Sequence, residues 1–416
     1  MSRLISRFVI SIYLIIPLCL TAQYTGTGSV TRGKGTATQP SFFSCTGGRV
    51  TSLGSITSSD SKSWSVPALV NFSNTVFPFA GDLYNSCNNK TYLNAAEALK
   101  AFGSADIVSI DADGELITAY VFADNYFEMY VNGKPVGKDK VPFTQFNSSL
   151  MRFRVKQPFV AAILAVDWEE ALGLGTEANG PAAYHAGDGG LVAVFTDSTG
   201  KIISVTDKQW KAQTYYTAPI KDLRCPTETG SLRLSDRCNT ADSSDGNLWY
   251  GLHWERPAGW EQPGFNDAGW PNAYEYANST IGVDNKPAYT RFTDIFDNSG
   301  TDAKFIWSSN VILDNEVLMR HTIGSSAGAL KPGKSNRFNI WPNPSSGKIY
   351  ISLQGGLTPE RLHCRVFNSC GKWVGNFDCA GDIVDLAALP QGFYMLNIAT
   401  DNGISENHKI HLLYHE

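Results

Sequence analysis

Read for alternation of apolar and polar positions, the chain is a succession of short strands. ITAYVFADNYFEMYVNGKPVG (117–137) holds two alternating aromatic-rich stretches that flank Ala123, Asp124 and Asn125, with Asn132-Gly133 as a tight turn. A period of two marks a half-buried strand, and Asn-Gly marks a hairpin. MRFRV (151–155) and AAILAVDW (161–168) read as a strand pair, the second member apolar enough to be buried on both faces. GGLVAVFTDSTGKIISVTDKQWKAQ (189–213) predicts a hairpin across Ser198, Thr199 and Gly200, and FIWSSNVILDNEVLMRHTI (305–323) a late strand. The best helix candidate, NAAEALKAF (94–102), is short. Residues 24–64 are dominated by Gly, Ser and Thr, which predicts an extended or loosely packed leader ahead of the first strands.

From Phe338 the pattern turns regular. FNIWPNPSSGKIYISL (338–353) reads as strand, Pro-rich turn, strand, with Ile349, Ile351 and Leu353 alternating. LHCRVFNSCGKWV (362–374) is a hairpin on Ser-Cys-Gly. DIVDLAALPQGFYMLNIAT (382–400) turns at Pro390 and Gly392 and enters a strand carrying Tyr394, Leu396 and Ile398. One more apolar strand closes the chain, so 338–416 predicts a small antiparallel β-sandwich. These residues resemble the C-terminal sorting domain of proteins exported by the type IX secretion system. The pieces are the Pro342-Asn343-Pro344 turn with Gly347 and Lys348, the Gly371-Lys372 hairpin, and Leu389, Pro390, Gly392 and Tyr394 in Leu-Pro-x-Gly-x-Tyr. The resemblance implies an immunoglobulin-like fold, handling by the type IX machinery, passage through the periplasm, and release or display at the outer cell surface.

The opposite end fits export. Arg3 and Arg7 precede an apolar run (8–20) and Thr21-Ala22, the parts of a cleavable signal peptide over residues 1–22. That run is shorter than the ~20 residues a membrane anchor needs, and no other segment is apolar for long enough. The formal charge of −5 becomes −7 without those two arginines, and no Lys/Arg run occurs, which argues against nucleic acid. Of 8 cysteines, Cys225 and Cys238 close a short loop and Cys45 can pair with Cys87, while Cys364, Cys370 and Cys379 form an odd set. Gly324-Ser325-Ser326-Ala327-Gly328 has the GxSxG form, but Pro332 and Gly333 prevent the helix a nucleophile elbow requires, so 324–337 reads as a linker.

Within 105–323, four segments occur in the order seen in galactose-binding-like jelly rolls, the sugar-binding modules of secreted glycosidases. They are Asp124 to Lys134, Thr206 to Trp210, Pro263 to Pro271, and Trp307 to Arg320. The resemblance implies an all-β chain, a jelly-roll β-sandwich followed by the sorting sandwich, and a glycan or cell-surface ligand. Trp260, Phe265, Asp267 and Trp270 read as packing and capping residues. Binding is expected in loops at one end of the sandwich, where sugars need an aromatic face and planar polar groups. Trp168, Glu169, Glu177 and Asn179 in one loop, and Tyr184, His185 and Asp188 in another, supply that mixture. Catalysis is not indicated. Glu169 and Glu170 would diverge on a strand, and hydrolysis needs two carboxylates facing across a bond. No cofactor is implied: Asp111-Ala112-Asp113-Gly114 lacks the later ligands of a calcium loop, and no cysteine spacing suits zinc. The expected function is an exported, non-catalytic carbohydrate-binding protein; the alternatives are a structural or adhesive surface protein and, behind it, a glycoside hydrolase.

Overall fold

Neighbouring side chains of a strand point to opposite faces, and the strand Phe159–Val166 is apolar throughout because both of its faces are covered. Ala161, Ile163 and Ala165 enter one core, and Ala162, Leu164 and Val166 enter a second. The computed structural model describes residues 24–298, 300–324, 338–353, 362–368, 372–380, 383–400 and 405–413. The chain divides into two compact units, Met1–Ile323 and Gly324–Glu416. The signal-peptide stretch, residues 325–337 of the expected linker, Cys370 and Gly371 lie outside the described residues.

The first unit is an all-β body with two principal sheets. Its seven-stranded sheet runs Ser29–Arg32, Tyr250–His253, Lys211–Ile220, Asp314–Ile323, Phe159–Val166, Tyr126–Val131, Lys134–Lys138. A nine-stranded sheet carries, in order, Tyr274–Tyr276, Phe305–Trp307, Gly190–Thr196, Glu115–Asp124, Ser148–Val155, Gly81–Asn85 and Lys90–Thr91, with Ile202–Val205 and Val108–Ser109 beside that path. Inward residues of both sheets, among them Ile117, Val121, Phe153, Met129, Ile163 and Met319, share the main core. The second core covers the other face of the seven-stranded sheet and holds Trp168, Trp254, Trp260 and Trp270. Phe42 and Leu53 of a three-stranded sheet (Thr36–Phe43, Thr51–Thr57, Ser63–Val66) pack against it.

Two expectations need correction. Residues 24–64 are not a loose leader. Ser29–Arg32 pairs along Tyr250–His253 at a sheet edge, and the next three strands make the small sheet just described. Main-chain pairing holds this Gly/Ser/Thr-rich segment where apolar side chains are few. The strands around 151–155 and 161–166 do not pair with each other. They belong to opposite sheets, Ser148–Val155 bonding to Glu115–Asp124 and Phe159–Val166 to Asp314–Ile323. The Asn132-Gly133 hairpin forms, as does the helix Ala95–Ala101, where the Asn94 side chain accepts from Glu97 N at 3.0 Å.

Disulfides join Cys45 to Cys87, Cys225 to Cys238, and Cys364 to Cys379. In the second unit seven strands follow the order Phe338–Trp341, Lys348–Leu353, Ile383–Asp385, Trp373–Ala380, Leu362–Asn368, Gly392–Thr400, Ser405–Leu412. Ile349, Ile351, Leu396 and Ile398 are buried in its own core, matching their alternation in sequence. The Pro-Asn-Pro turn is tied to the final strand by one side chain: Asn343 Nδ2 donates to Lys409 O at 2.8 Å, and Asn343 Oδ1 accepts from His411 N at 3.0 Å. Gly347 has φ +118°, and a Cβ there would lie 2.7 Å from Ala387 Cα. Tyr394 closes its turn by donating to Pro390 O at 2.9 Å.

Candidate functional site

The chain crosses from the nine-stranded to the seven-stranded sheet at Asp124 and Asn125. There the Asn125 side chain works as a brace. Its Oδ1 accepts from Trp168 N at 2.6 Å and its Nδ2 donates to Asp124 Oδ1 at 2.7 Å. The brace sets Asp167, just past the strand Phe159–Val166, close to Asp124. Gly187 lies beside it, where a Cβ would make ordinary contact with an Asp167 carboxylate oxygen at 3.4 Å. Asp188 follows directly, ahead of the strand Gly190–Thr196.

These strand ends form the floor of a cleft of about 650 Å³. One wall is the hairpin Thr176–Asn179/Ala182–Ala186, which presents Glu177, Asn179 and His185. Gln145 and Phe146 also line the cleft, with Tyr84 and Ser86 near the Cys45–Cys87 bridge and Lys286 just ahead of the short helix Pro287–Thr290. Arg49 forms an ion pair with Glu177 and lies 3.5 Å from Glu170. His185 Nδ1 is 2.7 Å from Asp242, and the Lys286 ammonium sits 4.8 Å from the Phe146 ring centre.

The electrostatics of the floor follow from burial. Asp124 and Asp167 are each 5% exposed. Desolvation pushes both carboxyls well above the usual range, and the neighbouring carboxylates, Asp188 foremost, push further. Burial likewise lifts Asp188 to about 6, against the attraction of His185 and Lys286. Glu177 is raised by burial, with Arg49 opposing. Among the described residues, no group of three or more His, Cys, Asp or Glu is placed to hold a metal ion.

The seven expected site residues separate. Glu177, Asn179, His185 and Asp188 come together in the cleft. Trp168 does not: it is 2% exposed, stacked on Phe42 at 5.9 Å and edge-on to Tyr126 at 5.7 Å, with Nε1 donating to Ser52 O. A ring packed on both sides has no face for a sugar. Glu169 is also buried and acts on its own loop, accepting from Gly173 N at 2.8 Å, from Gly175 N and from Tyr216 Oη at 3.2 Å. Tyr184 is on the hairpin itself but does not line the cleft; it stands edge-on to Trp249. Glu169 and Glu170 lie on a loop rather than the expected strand, Glu169 accepting from Gly173 N and Glu170 from Ala178 N. Sequence reading missed Asp124, Asn125, Gln145, Lys286 and Arg49. An acid and an amide amid an aromatic, otherwise apolar stretch signalled the first two; the others come from distant loops that only the fold unites. A second cleft, about 670 Å³ and more apolar, runs past Gln213, Arg233 and Tyr274.

In the second unit, residues 339–412 match the family model of the secretion system C-terminal sorting domain, which marks this unit as an export module. The chain is therefore a type IX secretion substrate, secreted or carried to the cell surface. No helix among the described residues is long and apolar enough to cross a membrane. No curated protein matches the chain. Among solved structures, the BSP domain of a biofilm-associated protein is 9% identical, with a TM-score of 0.16 over 73% of this chain and 76% of that one. A lectin from Pleurotus ostreatus is 12% identical, with a TM-score of 0.14 over 73% of each chain. The central fibronectin-III array of RIM-binding protein is 11% identical, with a TM-score of 0.14 over 70% and 88%. Overlaps this slight carry no argument about what this chain binds.

Proposed function

We propose that the protein is an exported, non-catalytic carbohydrate-binding protein, that its body is a galactose-binding-like sandwich, and that its site is the cleft floored by Asp124, Asp167 and Asp188. The observation that carries the reading is convergence: planar polar groups (Asn125, Gln145, Asn179, the carboxylates) and the rings of Tyr84 and Phe146 line one cleft of sugar size. Sugars are held by this combination, amide and carboxylate groups taking the hydroxyls and a ring taking the apolar C–H face. The test is a glycan-binding screen on the full chain, with Tyr84→Ala beside it. Retention of a defined glycan, weakened roughly tenfold by removing the ring, is expected. Retention of no glycan returns the protein to the structural or adhesive reading.

One observation favours glycoside hydrolysis as a second reading. An Asp188 carboxyl at about 6 beside other carboxylates has the character of a general acid near neutral pH. Turnover of a glycan bound in the screen, abolished by Asp188→Asn, would establish it; binding without turnover leaves the lectin-like reading in place.

A further inference from the structure

The floor of the cleft is short of hydrogen-bond donors. Asp167 lies on the cleft and is 5% exposed, yet among the described residues nothing donates to its carboxylate. The titratable side chains closest to it in effect, Asp188, Glu177 and Glu169, are all acids. Among the described residues, Asp188 Oδ2 is buried and without a partner, and so is Ser86 Oγ on the same cleft. Asp124 receives one bond, from the neighbouring Asn125 amide. Leaving a buried acceptor unmade costs roughly 1–3 kcal/mol, so Asp167 and Asp188, with Ser86 beside them, offer acceptors that a donor-rich ligand would satisfy.

The basic side chains nearby are engaged. Arg49 is held by Glu177 and Glu170, and His185 by Asp242. Lys286 remains within electrostatic reach of Asp124 and Asp188, with its ammonium also over the Phe146 ring. Burial favours the uncharged form of Asp124 and Asp167, and a cation seated beside them favours the charged one. Carboxylates of this kind call for a ligand rich in donors and bearing positive charge, and they repel one that brings a carboxylate or sulfate. Tyr84 and Phe146 add aromatic surface on the same cleft.

We propose that the cleft takes an amino sugar, a pyranose with a free ammonium group, whose N–H and O–H donors reach Asp124, Asp167 and Asp188. This rests on the carbohydrate-binding reading above and narrows it to one charge class. The ammonium meets Asp167, the most isolated of the acceptors, and ring hydroxyls satisfy Asp188 and Ser86.

The test measures binding of the full chain by calorimetry at pH 7 to three oligosaccharides of one length: glucosamine units, their N-acetylated counterparts, and uronic acid units. The glucosamine series is expected to bind at least about tenfold more tightly than the N-acetylated one, because charge-assisted bonds are about twice as strong as neutral ones. Binding should weaken as salt is raised, and the uronate series should not bind. Asp167→Asn, and separately Asp188→Asn, should erase the preference while the melting transition of each variant shows it folded. Equal or tighter binding of the N-acetylated series overturns the inference and leaves the carbohydrate reading standing. Binding of none of the three, together with no retention in the wider glycan screen, overturns both.

Discussion

Side chains in the cleft hold an arrangement unfavourable to the empty protein. Asp188 illustrates the cost and lets it be measured. Its folded-state pKa of about 6 lies above the ~3.9 of an unfolded aspartate, so the folded chain holds this proton more tightly. Stability therefore falls as pH rises from about 4 through about 6, the unfolded state having released the proton first. Asp188→Asn removes that loss. Thermal or denaturant unfolding should show variant and wild type alike at pH 4 and the variant more stable by roughly 1–3 kcal/mol at pH 7. A variant less stable at pH 7 would mean that the carboxylate has donors in the folded protein. The same scale shows why Trp168 misleads a reader of sequence. Trp beside acids has the composition of a sugar site, but composition does not reveal that Phe42, from a segment more than a hundred residues earlier, covers the ring.

At the scale of elements, alternation was informative wherever a strand has one wet and one dry face, or none wet. The Asn132-Gly133 hairpin, the doubly buried Phe159–Val166 and the sorting-domain strands were all legible on that basis. Pairing was less legible, because strands adjacent in sequence can enter opposite sheets, as Ser148–Val155 and Phe159–Val166 do. Ser29–Arg32 escaped notice because an edge strand held by main-chain bonds needs little apolar content. Half of the candidate site was visible for a related reason: the hairpin residues Glu177, Asn179 and His185 are close in sequence, whereas Arg49, Gln145 and Lys286 meet them only after folding. In the sorting domain, Gly347 is a position where local geometry dictates the residue. With φ +118° and the Ala387 backbone 2.7 Å from a would-be Cβ, Gly347→Ala should cost more than ~1 kcal/mol. Comparing the amounts of protein outside and inside the cell should show export falling in that variant; undiminished export would mean the machinery reads the motif without this turn.

For the molecule as a whole, the export signal and the candidate cleft lie in different units. The second carries the family match and the export signal, and the first carries the cleft. Export to an oxidising compartment suits the Cys45–Cys87 bridge, which pins two loops at the cleft rim, beside Thr46 and Ser86. A glycan held by this protein is predicted to sit in that cleft. The most direct measurement is amide hydrogen exchange of the full chain with and without the glycan retained best in the screen. New protection is predicted at residues 124–125, 144–146, 187–188 and 281–288, which border the cleft from separate parts of the sequence. Protection confined to the segments around Gln213, Arg233 and Tyr274, or found nowhere in the first unit, would contradict it.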